Sequence, residues 1–254
     1  MSDRFFYDGP LGPGEVVLAG PEAHHLAAVR RFAAGDSVTL FNGDGHEYSA
    51  RVLDVGKRRV SVRVDGVLSP ERELGFPLHV ASALPKGDRG DYLIEKLTEL
   101  GVTDFTPLIT ERAVVKPVEA KGEKLRRAVI EASKQCGRNV LMRVHPPAQW
   151  MEWCPRQTGL RLIAHPGEAA RRIVPTKGVT IAVGPEGGFA ESEVEAAQTA
   201  GWERWSLGPR ILRVETAAVA AVVFCDAARW GGTRSRSEGD AGQSPSLPLR
   251  APLQ

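Results

Sequence analysis

The chain is poor in cysteine and lacks any long hydrophobic run. Its three cysteines, Cys136, Cys154 and Cys225, stand far apart with no CxxC or histidine-rich spacing around them. An odd, scattered set argues against a disulfide framework and against a zinc site, so no metal is expected. The longest apolar stretch, Ala217 to Cys225, falls well short of the roughly 20 residues that a membrane-spanning helix needs. The opening Met1-Ser2-Asp3-Arg4-Phe5-Phe6 has no apolar segment of signal-peptide length. A reducing cytoplasm, with no membrane, is therefore the expected setting. Neither GxGxxG nor GxxxxGK[ST] occurs, which removes support for a dinucleotide fold or a P-loop NTPase. An excess of charge of one sign is lacking as well, because 33 Lys and Arg stand against 31 Asp and Glu for a net of only +2.

What the chain does have is enough apolar material for a core. Of its 254 residues, 42% are hydrophobic, which suits one large domain or a small one joined to a medium one. Charge is uneven along it: from Lys121 to Arg143 seven basic residues face two acidic ones, Glu123 and Glu131. Such a segment is either a phosphate-facing patch or an ordinary solvated helix face.

Residues 1–70 read as a small β-rich unit. Val38-Thr39-Leu40-Phe41 leads into the turn Asn42-Gly43-Asp44-Gly45, and His46 to Val55 and Arg59 to Val64 follow as strands. Val60, Val62 and Val64 alternate with polar residues, the period of a half-buried strand. Pro21 to Phe32 is predicted as a short helix carrying His24, His25, Arg30 and Arg31. One helix and several short strands suggest a small barrel, and Leu68-Ser69-Pro70-Glu71-Arg72-Glu73 reads as a linker.

From residue 76 to 232 strands alternate with helices, the mark of a largely parallel sheet and an α/β fold. Leu78 to Leu84, Phe105 to Ile109, Leu160 to Ala164, Val179 to Val183 and Arg204 to Leu207 are candidate strands. A helix is expected from a cap at Gly87-Asp88 to Leu100, stopping at Gly101. In the basic segment Leu125, Val129, Ala132 and Cys136 form a core stripe, while Arg127 and Lys134 fall on the outer side and Gly137 ends the helix. Glu191 to Ala200 and the largely apolar Glu215 to Trp230 complete the helices. Residues 233–254, rich in Ser, Gly, Pro and Arg, are expected to be a disordered tail.

Ligands of open α/β sheets bind beyond the carboxyl ends of strands, and three loops satisfy that rule. They are Ala164-His165-Pro166-Gly167, Gly184-Pro185-Glu186-Gly187-Gly188-Phe189, and Leu207-Gly208-Pro209-Arg210-Ile211-Leu212-Arg213 leading into Val214-Glu215-Thr216-Ala217. Glycines in the second loop let backbone N–H groups turn toward a ligand, although such a run is also found in plain tight turns.

Taken together, the second and third loops strongly resemble the RsmE family. These are SPOUT-superfamily enzymes that methylate N3 of one uridine in 16S ribosomal RNA. Lys86-Gly87-Asp88-Arg89 with Thr98-Glu99-Leu100-Gly101, Glu131-Ala132-Ser133-Lys134-Gln135-Cys136-Gly137-Arg138, and His25-Leu26 through Arg30 with Gly35-Asp36 agree with it. The resemblance spans about residues 1–230. It departs at Val214, where the family commonly has Thr.

The resemblance implies a SPOUT-type methyltransferase domain with a C-terminal trefoil knot, preceded by a PUA-like RNA-binding barrel. It further implies a homodimer acting on 16S ribosomal RNA or the small ribosomal subunit. S-adenosylmethionine is the implied cofactor, held by His165, Pro166, Gly184, Glu186, Gly187, Gly188, Leu207, Gly208, Ile211 and Leu212. Uracil N3 must lose a proton before it can attack, so a base and a cation are needed. Arg213 is the expected cation, and Glu215 and Glu186 remain alternative bases. RNA contacts are expected from Arg4, Arg30, Arg31, Lys86, Arg89, Arg112, Lys116 and Arg138. A related enzyme acting on ribose 2′-OH or another RNA, and a non-catalytic RNA-binding protein of the same fold, are the rival readings. The tryptophans Trp150, Trp153, Trp202 and Trp205 are expected chiefly as core anchors.

Overall fold

The computed structural model of the chain describes residues 3–56, 58–114, 122–166, 173, 175 and 177–230, with side chains to 226. Lys116, Gly167 and the tail expected over 233–254 lie outside the described residues.

The first 68 residues build a five-stranded mixed sheet. Its strands are β1 (Arg4–Phe6), β2 (Gly14–Ala19), β3 (Ser37–Phe41), β4 (Glu47–Val55) and β5 (Arg59–Leu68), in the order β1-β3-β4-β5-β2. Register shifts at Ser49/Ala50 and Val52/Asp54 mark bulges between β4 and β5, which bend the sheet around its core. Alternation puts Val38, Leu40, Ala50, Val52, Val60, Val62 and Val64 inside with Phe5 and Leu26. The helix expected over 21–32 is shorter. It is one α-turn, α1 (Gly20–His24), running into a π-turn over His25–Val29, and Arg31 then takes a positive φ of 57°. A non-glycine residue in that region stops a helix.

The second unit is parallel throughout. Strands β6 (Leu78–Ser82), β7 (Asp104–Ile109), β8 (Arg143–Val144), β10 (Leu160–Ala164), β11 (Val179–Val183) and β12 (Glu203–Trp205) lie in the order β12-β10-β11-β6-β7-β8, and β9 (Ala148–Gln149) pairs with β7. Strand β11 is fully buried and inserts between β6 and β10. On one face α2 (Asp88–Glu99) and α6 (Val214–Trp230) cover Leu78, Val80, Ile181 and Val183. On the other, α4 (Trp150–Trp153) and α5 (Glu191–Thr199) build a tryptophan cluster in which Trp150, Trp202 and Phe189 are buried. Trp150, Trp202 and Trp205 act as core anchors, each with at most 3% of its surface exposed.

Helix caps follow the glycines. Gly101, at φ +84°, receives the end of α2, and Gly137, at φ +86°, that of α3 (Gly122–Cys136). The cap of α2 is Gly87, in a positive-φ conformation and without a side-chain bond, and Asp88 opens the first turn.

Helix α3 corrects the reading of the basic segment. One face buries Leu125, Val129 and Ala132, as the periodicity predicts. The opposite face meets the first unit: Ile130 packs on Phe6 and Phe41, Arg126 pairs with Asp8, and Lys134 with Glu22 at 2.9 Å. Lys134 is thus nearly enclosed rather than outward, while Arg127 alone of the pair is exposed.

Arg138 and Arg4, expected on RNA, are buried with only 2% and 7% of their surface exposed. Arg138 forks onto Glu73 (3.0 and 2.5 Å) and donates to the carbonyls of Thr98 and Val102. Arg4 donates to Glu47 at 2.8 Å, to the Arg138 carbonyl and to Asn139 Oδ1 at 2.6 Å. Arg72 ties the linker to Glu47 and the Gly137 carbonyl. The physical reason is geometric, because a guanidinium offers five donors and can fasten carbonyls at a helix end and a carboxylate together.

Replacing Arg138 with Ala strands the Val102 carbonyl, takes one of its donors from the Thr98 carbonyl, which keeps Gly101 N–H, and unpairs Glu73. The expected cost is about 1–3 kcal/mol, the range for a buried polar group left unsatisfied, because water reaches the Glu73 carboxylate. Urea midpoints of the two chains check this; an exposed RNA-contact arginine would leave the midpoint in place.

Candidate functional site

The insertion of β11 sets the site. Because β10, β11 and β12 run parallel and side by side, the three loops leaving their carboxyl ends open onto one cleft of about 360 Å³. All ten residues expected to hold the cofactor line it: His165 and Pro166 after β10, Gly184, Glu186, Gly187 and Gly188 after β11, and Leu207, Gly208, Ile211 and Leu212 after β12. Arg112, Arg210, Val214 and Ala217 are also part of the wall.

Two glycines leave room that a side chain would take. Gly208 has φ +114° and Gly188 φ +70°, both with open space where a Cβ would stand. Gly184 is needed for packing instead, since its Cβ would come within 2.9 Å of the Phe189 ring. Gly187 carries no such constraint; a Cβ there meets Arg112 at an ordinary 3.5 Å. The lining of Val183, Leu207, Ile211 and Leu212 gives the cleft apolar walls, and Ile211 is 88% exposed at its mouth. Apolar walls with backbone polar groups at glycine turns fit a purine nucleoside carrying a charged tail.

Sequence reasoning missed the residue that braces this loop. Glu193 is buried, and accepts from the Glu111 backbone N–H at 2.9 Å and from that of Ala190 at 2.8 Å. It sits at the third position of α5, where a glutamate reaches back to cap the helix start, and that spacing is the signal that was available. Arg112, expected on RNA, donates to the Gly187 carbonyl at 3.0 Å and so fastens the glycine loop to the segment after β7.

Arg89, also expected on RNA, lies between the two candidate bases. One nitrogen is 3.3 Å from Glu186 and another 3.9 Å from Glu215. Glu186 is half exposed on the loop, whereas Glu215 is buried in the first turn of α6. Arg213 is exposed next to the cleft without lining it. Lys86, Arg30 and Arg31 are exposed, Arg30 in an ion pair with Asp3.

A second cleft, of about 620 Å³, lies at the opposite, amino-terminal end of the strands and gathers His79, Asp104 and His145. His145 meets Asp104 at 2.8 Å, and His79 meets Thr106 Oγ1 at 2.8 Å. Burial pushes the His79 imidazole down to about 4 against the opposing pull of Asp104, with His145 and Arg143 adding smaller downward contributions. Among the described residues no group of three metal-ligating side chains occurs. No helix there is long and apolar enough to cross a membrane.

The fold and cleft define a two-unit α/β protein with a ligand site at its strand ends, and comparison with known proteins gives its class, an RNA methyltransferase. Residues 72–225 match the family model described as an RNA methyltransferase domain, and residues 18–65 match an RNA methyltransferase PUA domain. Ribosomal RNA small subunit methyltransferase E from Bacillus subtilis is 33% identical over 222 residues, covering 81% of this chain and 87% of the relative. Among solved structures, a putative methyltransferase from Legionella pneumophila with bound S-adenosylmethionine superimposes with a TM-score of 0.85 at 36% identity, covering 90% of this chain and 98% of that one. The Neisseria gonorrhoeae ribosomal RNA small subunit methyltransferase E, also bound to S-adenosylmethionine, gives a TM-score of 0.80 at 31% identity, covering 88% and 96%. The chain belongs to the ribosomal RNA small subunit methyltransferase E family.

His79 gives the second cleft a pH signature. Its folded value of about 4 lies below the ordinary 6.5, so on acidification the unfolded chain takes the proton first. Stability is therefore lost as pH falls from about 6.5 toward about 4, and this contribution is level below that. Urea midpoints should fall less steeply over that window in His79→Gln than in the parent; equal slopes would place His79 in water.

Proposed function

We propose that this chain transfers the methyl group of S-adenosylmethionine to N3 of a uridine in 16S ribosomal RNA of the small ribosomal subunit, in the bacterial cytoplasm. The observation that carries the reading is the meeting of three loops, with all ten expected cofactor residues, in one glycine-lined cleft. The relatives with bound S-adenosylmethionine support the choice of donor.

In this reading the cofactor is held by His165, Pro166 and the glycine loop on one side and by Leu207 to Leu212 on the other. When bound it supplies an electrophilic methyl group on a sulfonium. The protein's part is to align the acceptor, take the N3 proton, and stabilise the negative charge left on the uracil carbonyl oxygens. Arg213, exposed at the end of the third loop, is proposed for the last role. Residues 1–70 act as the RNA-binding barrel and 76–232 as the methyltransferase domain. Phosphate contacts come from Arg30, Arg31 and Lys86, and from Lys116.

The C-terminal segment is proposed to thread a trefoil knot. That proposal rests on the family resemblance, and β11 lies between β6 and β10 in the sheet. The molecule is proposed to work as a homodimer, because the largely apolar α6 carries Val223 and Phe224 40% and 47% exposed. Sedimentation at micromolar concentration should then report twice the chain mass; a monomer would refute the dimer.

Tritiated-methyl transfer onto small ribosomal subunits lacking modification tests the function, with mass spectrometry locating the methyl group. A label on N3 of one uridine is expected; a label on ribose would favour the 2′-OH enzyme. Gly208→Val puts a β-branched side chain at φ +114° and into the cleft. Its affinity for S-adenosylmethionine by calorimetry should drop well over tenfold while the fold is kept. Unchanged affinity would move the pocket elsewhere.

A further inference from the structure

The glycine loop after β11 is fixed by packing at its two ends. Gly184 lies against the Phe189 ring, and that ring stands 4.8 Å from the Trp150 ring, centre to centre. The middle has no such packing. Gly188 N–H bonds to the Pro185 carbonyl at 2.8 Å, closing a turn, and Gly188 itself takes φ +70°. Two adjacent glycines have more backbone freedom to lose than any other pair. The position of Gly187 and Gly188 therefore depends on bonds that reach the loop from outside it.

Those bonds form a chain that begins at Glu193. This side chain is buried, and its Oε1 accepts from the Glu111 backbone N–H at 2.9 Å. Its Oε2 accepts from Ala190 N–H at 2.8 Å, at the exit of the loop. Arg112 follows Glu111 directly. Its Nη1 donates to the Gly187 carbonyl at 3.0 Å and, more weakly, to that of Phe189 at 3.5 Å. The stem of Arg112 also stands where a Cβ on Gly187 would point, at 3.5 Å. Glu193 thus holds the backbone from which Arg112 reaches the loop. Arg112 and Gly187 belong to the cleft wall, whereas Glu193 does not.

Resting on S-adenosylmethionine as the ligand of this cleft, we propose that Glu193 and Arg112 are positioning residues that set the affinity for it. The brace orders the middle of the glycine loop before the cofactor arrives. Binding then does not have to order Gly187 and Gly188. Without the brace the loop is in place for only a fraction of the time, and the apparent affinity falls by that fraction. Arg112 acts through the Gly187 carbonyl, and the RNA contact that the sequence suggests for it is not its role.

The test begins with calorimetry of the parent chain and S-adenosylmethionine. A parent that binds none overturns the proposed function and this inference with it; a parent that binds, with variants unchanged, overturns this inference alone. Arg112→Ala should weaken cofactor binding by roughly threefold to tenfold, the range for one net hydrogen bond. Its melting temperature should stay near the parent's, because the residue is exposed. Arg112→Lys, which can still donate to the Gly187 carbonyl, should recover part of the loss. In steady-state methyl transfer the defect should fall on KM for the cofactor rather than on kcat. The salt dependence of RNA binding by Arg112→Ala should match the parent's, whereas loss of a phosphate contact would flatten its slope by roughly 0.7 to 0.9. Glu193→Gln keeps one acceptor oxygen, so it releases either Glu111 or Ala190, and it should weaken cofactor binding as well. Because Glu193 holds the segment that carries Arg112, the loss in the double variant should be smaller than the product of the single losses. If Glu193→Gln does not fold, the exposed Arg112→Ala decides alone. A parent-like cofactor affinity in Arg112→Ala, or a flattened RNA salt slope, overturns the proposal. So do losses that multiply in the double variant, since Arg112 would then have a contact of its own with the cofactor.

Discussion

Everything at the site depends on one sheet pairing, the insertion of β11 between β6 and β10. Five backbone register pairs to β6 and four to β10 hold it, and its five residues are all buried. A strand buried on both faces has no freedom to slip, since a shift by one residue would exchange its two faces. With β12 parallel to β10, the carboxyl ends of β10, β11 and β12 are forced into one row. The loops leaving them, though separated by up to forty-odd residues of chain, have no choice but to share a cleft. Glu193 then locks the middle loop by capping α5 with one oxygen and the post-β7 segment with the other.

The second organising constraint is the arginine network between the units. Arg138, Arg4 and Arg72 share carbonyls at the end of α3 and the carboxylates of Glu47 and Glu73. Burial lowers the Arg4 value, and its bond to Glu47 works against that. A buried guanidinium is costly unless its donors find acceptors; those of Arg138 and Arg4 reach across both units and the linker, with Arg4 Nε left unpartnered. The linker is therefore a fastened strap, with Leu74 and Phe76 packed on the core beyond it. Orientation of the barrel relative to the cleft follows from this network together with the Ile130–Phe6–Phe41 contact.

Charge at the cleft is distributed with the same economy of position. Arg112 braces the glycine loop, Arg89 spans two carboxylates, and Arg213 is left exposed among them. Cations alike in type but far apart in the chain thus serve structure, anchoring and solvent-facing roles respectively. What separates them is whether an acceptor lies within reach, which depends on elements distant in the chain.

Local chemistry was legible in the sequence because it acts over a few residues. Alternating valines in β5, the stops at Gly101 and Gly137, the apolar stripe of α3 and the glycine turns after β11 and β12 each carry their cause within a single turn or strand. The three loops could be named as ligand loops from their place after strands. The use of Arg4 and Arg138 could not, because periodicity reports how often a helix turns and not what packs on its far side. The same limit hid Lys134 against Glu22 and Glu193 beneath Glu111. It also left Glu186 and Glu215 as equals, since burial and an unpartnered oxygen are properties of the assembled α2–α6 surface. The sequence determined which residues turn, stop and carry charge; only the tertiary structure decided which charges are enclosed, because enclosure is made by segments that meet through the sheet.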